Sequence, residues 1–212
     1  KIGYKHSIAT IQTIISGSYT GLGDYEKAIA ISEKGYRILK KLNNKRMLGY
    51  SLIQKANVNQ KITNHKISKQ CLTQANKIFV KLKENRGIAL THSMLGALSY
   101  ELGKYDEAIE YLKTSRSIQL NIGLREGEIS LRTTTLLFTI NKIYGKKYDK
   151  NEIISLLSKT PYISFGLNYH LYQLLEDTSY LKSAYNQIQE LSDNLESDVK
   201  LKFLSYPIPK AI

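Results

Sequence analysis

One octet occurs three times at even spacing, and no other feature of the 212 residues restricts the fold as much. Residues 22–29 read LGDYEKAI, residues 102–109 read LGKYDEAI, and a weaker copy midway, at 62–69, reads ITNHKISK. A period of 40 residues is the signature of a repeat array. Each unit of such an array buries its apolar face only against its neighbours, so the chain is expected to extend and present a surface instead of enclosing a pocket. Binding is therefore the expected activity.

The repeating unit reads as a pair of helices. Ile8, Ile11, Ile15 and Tyr19 recur at three- and four-residue steps and mark one helical face. Gly21 and Gly23 interrupt it, and Asp24 is placed to cap a second helix over about 25–42. Asn43 and Asn44 supply the next turn. The same reading gives helices near 46–62 and 66–82, then 86–102 and 105–122, with Arg46 and Arg86 again 40 apart. A fourth first helix, 126–144, ends at Gly145, two positions later than the period demands. A short partner follows at 149–158 and stops before Pro161. The three prolines (Pro161, Pro207 and Pro209) lie in the last quarter, so nothing earlier must break a helix. Beyond the array, helices are expected at 165–175, 179–195 and 198–204, followed by the proline-limited tail YPIPKAI.

The order of Leu or Ile, Gly, a charged residue, Tyr and then Ala resembles the tetratricopeptide repeat, a helix-turn-helix unit usually of 34 residues. That resemblance places the small residue of the first helix at Ser16, Ala56 and Gly96, the later alanine at Ala28, Ser68 and Ala108, and the small residue deep in the second helix at Gly35, Ala75 and Ser115. Small side chains there let helices approach closely. The unit here is longer, lacks the proline that ends each repeat, and puts Lys55 at a normally apolar position. The longer unit is similar to extended arrays in bacterial signalling proteins, and Ala184 to Leu204 resembles the tail that closes them. The implied fold is all-α: an antiparallel helix-pair superhelix, a tetratricopeptide-like α-solenoid, with a C-terminal capping helical segment. Residues 1–160 form the array of about four pairs, and 161–212 form a helical pair and capping tail continuous with it.

No set of residues carries catalysis. His6, His65, His92 and His170 form no metal-binding pair, and Cys71 has no cysteine partner. The GLG at 21–23 lacks a preceding strand and a following Gly-Lys-Ser/Thr, so it is a turn and no phosphate loop. No enzyme activity, cofactor or metal is expected. No apolar run suits a bilayer span and the start lacks the apolar core of a signal peptide, so a soluble cytoplasmic protein is expected. Starting at Lys1 without an initiator methionine, the chain is expected to be part of something larger. The formal charge of +13 favours acidic partners or nucleic acid. Enrichment in Lys, Asn, Ile and Tyr also matches an AT-rich genome, and the basic residues are spread through every segment.

By the resemblance, the first helix of each repeat lines a concave groove that holds a peptide or helix of a partner protein. The candidates are Thr13 and Gly17, then Tyr50, Gln54, Asn57 and Lys61, then Ser93, Ala97, Tyr100 and Glu101, and finally Leu131, Thr135 and Phe138. Asn57 is foremost, because its amide can both donate to and accept from a peptide backbone. The basic clamp that grips C-terminal carboxylates in some relatives is absent, its positions being held by Thr13, Gly17, Gln54, Leu90 and Met94. The expected function is a protein interaction or regulatory module. A peptide sensor controlling an attached output domain and charge-driven nucleic-acid binding are the alternatives.

Overall fold

A computed structural model describes residues 2–124 and 126–212, with side chains from Tyr4 onward. The described residues form twelve helices and no strand: α1 (Ile2–Leu22), α2 (Tyr25–Lys41), α3 (Lys45–Lys61), α4 (His65–Leu82), α5 (Asn85–Glu101), α6 (Tyr105–Asn121), α7 (Glu128–Ile143), α8 (Lys150–Ser158), α9 (Phe165–Leu175), α10 (Thr178–Asp193), α11 (Ser197–Ser205) and α12 (Pro207–Ala211). The all-α helix-pair architecture holds, with α1 packed on α2 and α3 on α4. The tail differs from expectation. Pro207 starts α12, and both it and Pro209 fall in the first turn, where a missing N–H costs nothing.

The turns follow a finer cadence than the octet revealed. Left-handed backbone recurs every twenty residues, at Gly23, Asn43, Thr63, Lys83, Gly103 and Gly123, each just past the end of a helix. Such a residue turns the chain out of one helix, and after each of the first five the next helix begins two positions later. Capping follows the same count. Asp24 accepts from the Lys27 N–H at 3.1 Å and Asn44 accepts from the Met47 N–H at 3.1 Å, each stabilising its helix by about 1 kcal/mol. Thr63 is the strained member of the series, a β-branched residue at φ 61°. Thr63→Gly is expected to raise unfolding stability by about 1 kcal/mol, read as a higher urea midpoint; an unchanged midpoint would mean that the turn is not strained.

The chain divides into two compact units. The first contains the residues up to Gly87 together with Leu191–Pro207, and the second contains Ile88–Glu190 with Ile208–Ile212. In the first unit, Ala28, Ala56, Ser68 and Ala75 are wholly buried, as close helix approach requires. Ser16 is buried as well, and its hydroxyl donates to the Ala28 carbonyl at 2.8 Å, binding α1 to α2. Phe79, also fully buried, fills the centre of the second pair and meets Tyr50 edge-on at 5.0 Å. Lys55 holds its apolar position by reaching back to α2: its Nζ lies 2.6 Å from Glu33 Oε2 and 4.9 Å from the centre of the Tyr36 ring. The second repeat therefore keeps its register despite the charge. Residues of α11 return to the first pair, where Phe203 lies against Gly23, Tyr206 meets Tyr25 at 5.0 Å, and Lys202 pairs with Glu26 at 2.6 Å.

In the second unit, Ala108, Leu112 and Ser115 of α6 are buried, and a Cβ on Gly96 would come within 2.6 Å of Leu112 Cγ, so α5 and α6 lie close together. Ser115 donates to the Ala89 carbonyl at 2.7 Å, tying the two helices as Ser16 ties the first pair. A buried hydroxyl and amide network joins this pair to α7. Gln119 Nε2 donates to Ser115 Oγ at 2.9 Å and to Thr133 Oγ1 at 3.2 Å, and Ser93 Oγ lies 2.8 Å from Thr133 Oγ1. Leu131, Ile140 and Ile153 form the apolar core with Leu167, Leu171 and Leu174 of α9.

Candidate interaction surface

The candidate groove residues fall into two sets, one in each unit. In the first unit, Tyr50, Gln54, Asn57 and Lys61 stand at four-, three- and four-residue steps along α3, so they share one face, and all four are half-exposed. Tyr50 is fixed by Glu84, whose Oε2 accepts from the Tyr50 hydroxyl at 3.0 Å and from the Gly87 N–H at 3.1 Å. Burial first, and then the Glu84 carboxylate, push the Tyr50 hydroxyl pKa upward. Gly17 of α1 faces the same row, because a Cβ there would lie 3.5 Å from both amide heteroatoms of Gln54. Gln54 Oε1 is buried and receives no hydrogen bond. Thr13 is turned elsewhere; it is buried, donates to the Ala9 carbonyl at 3.0 Å, and packs against α2 at Gly35.

The second set is largely covered by the protein itself. Leu131 and Thr135 are 0% exposed, and Phe138 and Ala97 sit in the same core, under leucines of α9. Ser93 is engaged in the hydroxyl network with Thr133. Tyr100 is half-buried, with its ring 5.7 Å from His170 of α9 and 5.8 Å from Tyr105. Burial, reinforced by Tyr105 and Tyr169, pushes its hydroxyl pKa up to about 12, so it stays neutral at physiological pH. Glu101 is exposed at the end of α5. Helix α7 has ten buried residues in a span of eleven, from Ser130 to Ile140, and so is enclosed on most sides. Side chains that the repeat pattern assigns to a groove here lie beneath the chain's own α9. The sequence signal for this was the run LLF at 136–138, three consecutive apolar residues that cover more than half of the helix circumference.

The charge is also divided. Residues 1–87 contain 17 Lys and Arg against 4 Asp and Glu, whereas residues 88–212 contain 14 of each. Residues 1–87 are both denser in basic residues and poorer in acids than the rest, and they hold the whole excess of +13.

Among the described residues no group of three or more His, Cys, Asp or Glu could hold a metal ion, and no helix is long and apolar enough to cross a membrane. Burial raises the Cys71 thiol pKa, which leaves it a poor nucleophile.

Paired helices, left-handed turns at fixed intervals and small residues at the helix crossings define a helical-repeat protein. The family model of the tetratricopeptide repeat matches residues 91–121, within α5 and α6, where the octet is also clearest. Residues 91–121 are thus similar to a tetratricopeptide repeat, set within an all-helical repeat chain. Repeats of this kind generally mediate protein–protein interaction and typically serve as non-catalytic scaffolds. No curated protein matches the chain.

Proposed function

We propose that the chain is a non-catalytic interaction module that holds a peptide or helix of a partner protein against the first helices of the two N-terminal pairs, α1 and α3. The observation carrying this reading is Gln54, whose buried amide oxygen lacks a donor beside the bare backbone of Gly17. A buried acceptor without a partner costs about 1–3 kcal/mol, and turning the half-exposed side chain outward onto the N–H of a docked peptide would remove that cost. Tyr50, Asn57 and Lys61 extend the row and give the partner further polar anchors. The covered positions on α7 are not part of the proposed surface, so Leu131, Thr135 and Phe138 act as core.

The test begins with a photo-crosslinking residue at Asn57 and mapping of the captured polypeptide to a short segment. That segment, synthesised, is expected to bind the purified chain in calorimetry. Gln54→Ala and Gly17→Leu are each expected to weaken it about tenfold, equivalent to ~1.4 kcal/mol, with melting temperature unchanged. If both variants bind the segment as tightly as the parent protein, the proposed surface is wrong. A regulatory domain that senses a small peptide would bind the isolated segment as tightly as the whole partner, whereas a scaffold would lose affinity with the truncated form.

A further inference from the structure

The groove row on α3 leaves unexplained the concentration of charge in the first two helix pairs. An AT-rich genome raises lysine throughout a chain, yet here residues 88–212 hold 14 Lys and Arg against 14 Asp and Glu whereas residues 1–87 hold 17 against 4, so the first stretch is both richer in basic residues and poorer in acids. The four acids in that stretch are already engaged: Asp24 with Lys27, Glu26 with Lys202, Glu33 with Lys55 and Arg37, and Glu84 with Arg46. Helix α4 has no acid at all.

We infer that the outward faces of α2 and α4, the second helices of consecutive pairs and both packed on α3, form a docking surface for the phosphate backbone of double-stranded DNA. Lys34 and Lys41 on the α2 side, and Lys66, Lys77, Lys81 and Lys83 on the α4 side, are all exposed. From Lys66 to Lys81 the helix advances about 22 Å, the length of six to seven base-pair steps. Charge selects the occupant. Interfaces between folded proteins are depleted in lysine, whereas counterion release from phosphates is the interaction that exposed lysines serve best. Duplex is favoured over single strands because these two helices present no stacking platform: Tyr25 and Phe79 are buried, and the half-buried Tyr36 ring is flanked by Lys40 and Lys55. Binding follows charge and carries no sequence preference, since base-edge readout needs side chains in a groove.

Fluorescence anisotropy with a labelled 30-base-pair DNA of arbitrary sequence tests this. The full chain is expected to bind with micromolar affinity at about 50 mM salt, with log K falling against log salt at a slope of about −3 to −5. The triple variant Lys66→Gln, Lys77→Gln, Lys81→Gln is expected to bind at least tenfold more weakly, with the slope reduced by about 2 to 3. The triple variant Lys146→Gln, Lys147→Gln, Lys150→Gln removes the same charge from the second unit and is expected to stay within twofold of the parent. Matching circular dichroism melts confirm that both variants are folded. No binding at low salt, or equal weakening by the two variants, overturns the inference. So does tighter binding of polyglutamate than of duplex at equal charge, which would assign the surface to an acidic polypeptide. Gln54→Ala is expected to leave DNA binding untouched, so this inference and the proposed groove stand or fall separately.

Discussion

Replacing Phe79 by alanine is expected to destabilise the protein by about 3–5 kcal/mol, lowering the thermal midpoint by roughly 10 °C. The ring is fully buried and sits between two glycines on neighbouring helices. A Cβ at Gly49 would fall 2.6 Å from Phe79 Cζ, and one at Gly87 would collide with its Cγ. Those two glycines make room for the ring, so truncating it leaves a cavity that the helices around it close only in part. The converse substitution should also be costly. Gly49→Ala overfills the site and is expected to cost about 1–3 kcal/mol, and adding Phe79→Leu should recover part of that. A loss below about 1 kcal/mol for Phe79→Ala, measured by urea unfolding, would show that the second pair closes without the ring.

Gly23→Ala carries the second large effect and tests whether α11 is truly seated on the first pair. The residue has φ 84°, and an added methyl would lie 2.7 Å from Phe203 Cδ2. Gly103 holds the matching turn 80 residues on, at φ 70°, with nothing within 4 Å of its would-be Cβ. The pair therefore separates backbone strain from side-chain collision. Gly103→Ala should cost about 1–2 kcal/mol from left-handed geometry alone, and Gly23→Ala should cost about 1–3 kcal/mol more. In the Gly23→Ala protein, α11 should also lose hydrogen-exchange protection, and Phe203→Ala in that background should add little further loss. Equal costs for the two glycines would mean that Phe203 does not press on the turn.

Most helices were legible because their signals are local. Asp24, Asn44 and the turn glycines act within four residues, and the apolar spacing of α1 to α6 needs no knowledge of the rest of the chain. What sequence could not give depends on distant partners. Lys55 reads as a disruption until Glu33 and Tyr36 are known to lie beneath it. Gln119 occupies the position of Leu39 and Phe79 and reads as a break in the apolar face, but Ser115 and Thr133 satisfy its amide in the interior. The return of α11 links residues 176 apart, beyond any periodic signal. Assigning groove residues by register found a half-exposed row on α3, where the pattern is unobstructed. It could not see α9 over α7, since that depends on how the chain folds back after the period has lapsed. The charge asymmetry was present in the letters all along, visible only when charges of both signs are counted by segment.

The twenty-residue cadence of left-handed turns has a consequence for how such a chain can be lengthened or shortened. Cutting out forty residues between matching turns, from Gly23 to Thr63, joins like to like and preserves which helix of each pair faces inward. Removing only twenty also leaves every helix and turn whole, yet it exchanges the two roles downstream, so that surfaces meant for water are pressed into the interior. Gene rearrangement in this protein is therefore expected to be tolerated in even steps of the cadence and rejected in odd ones, although both leave the local code intact.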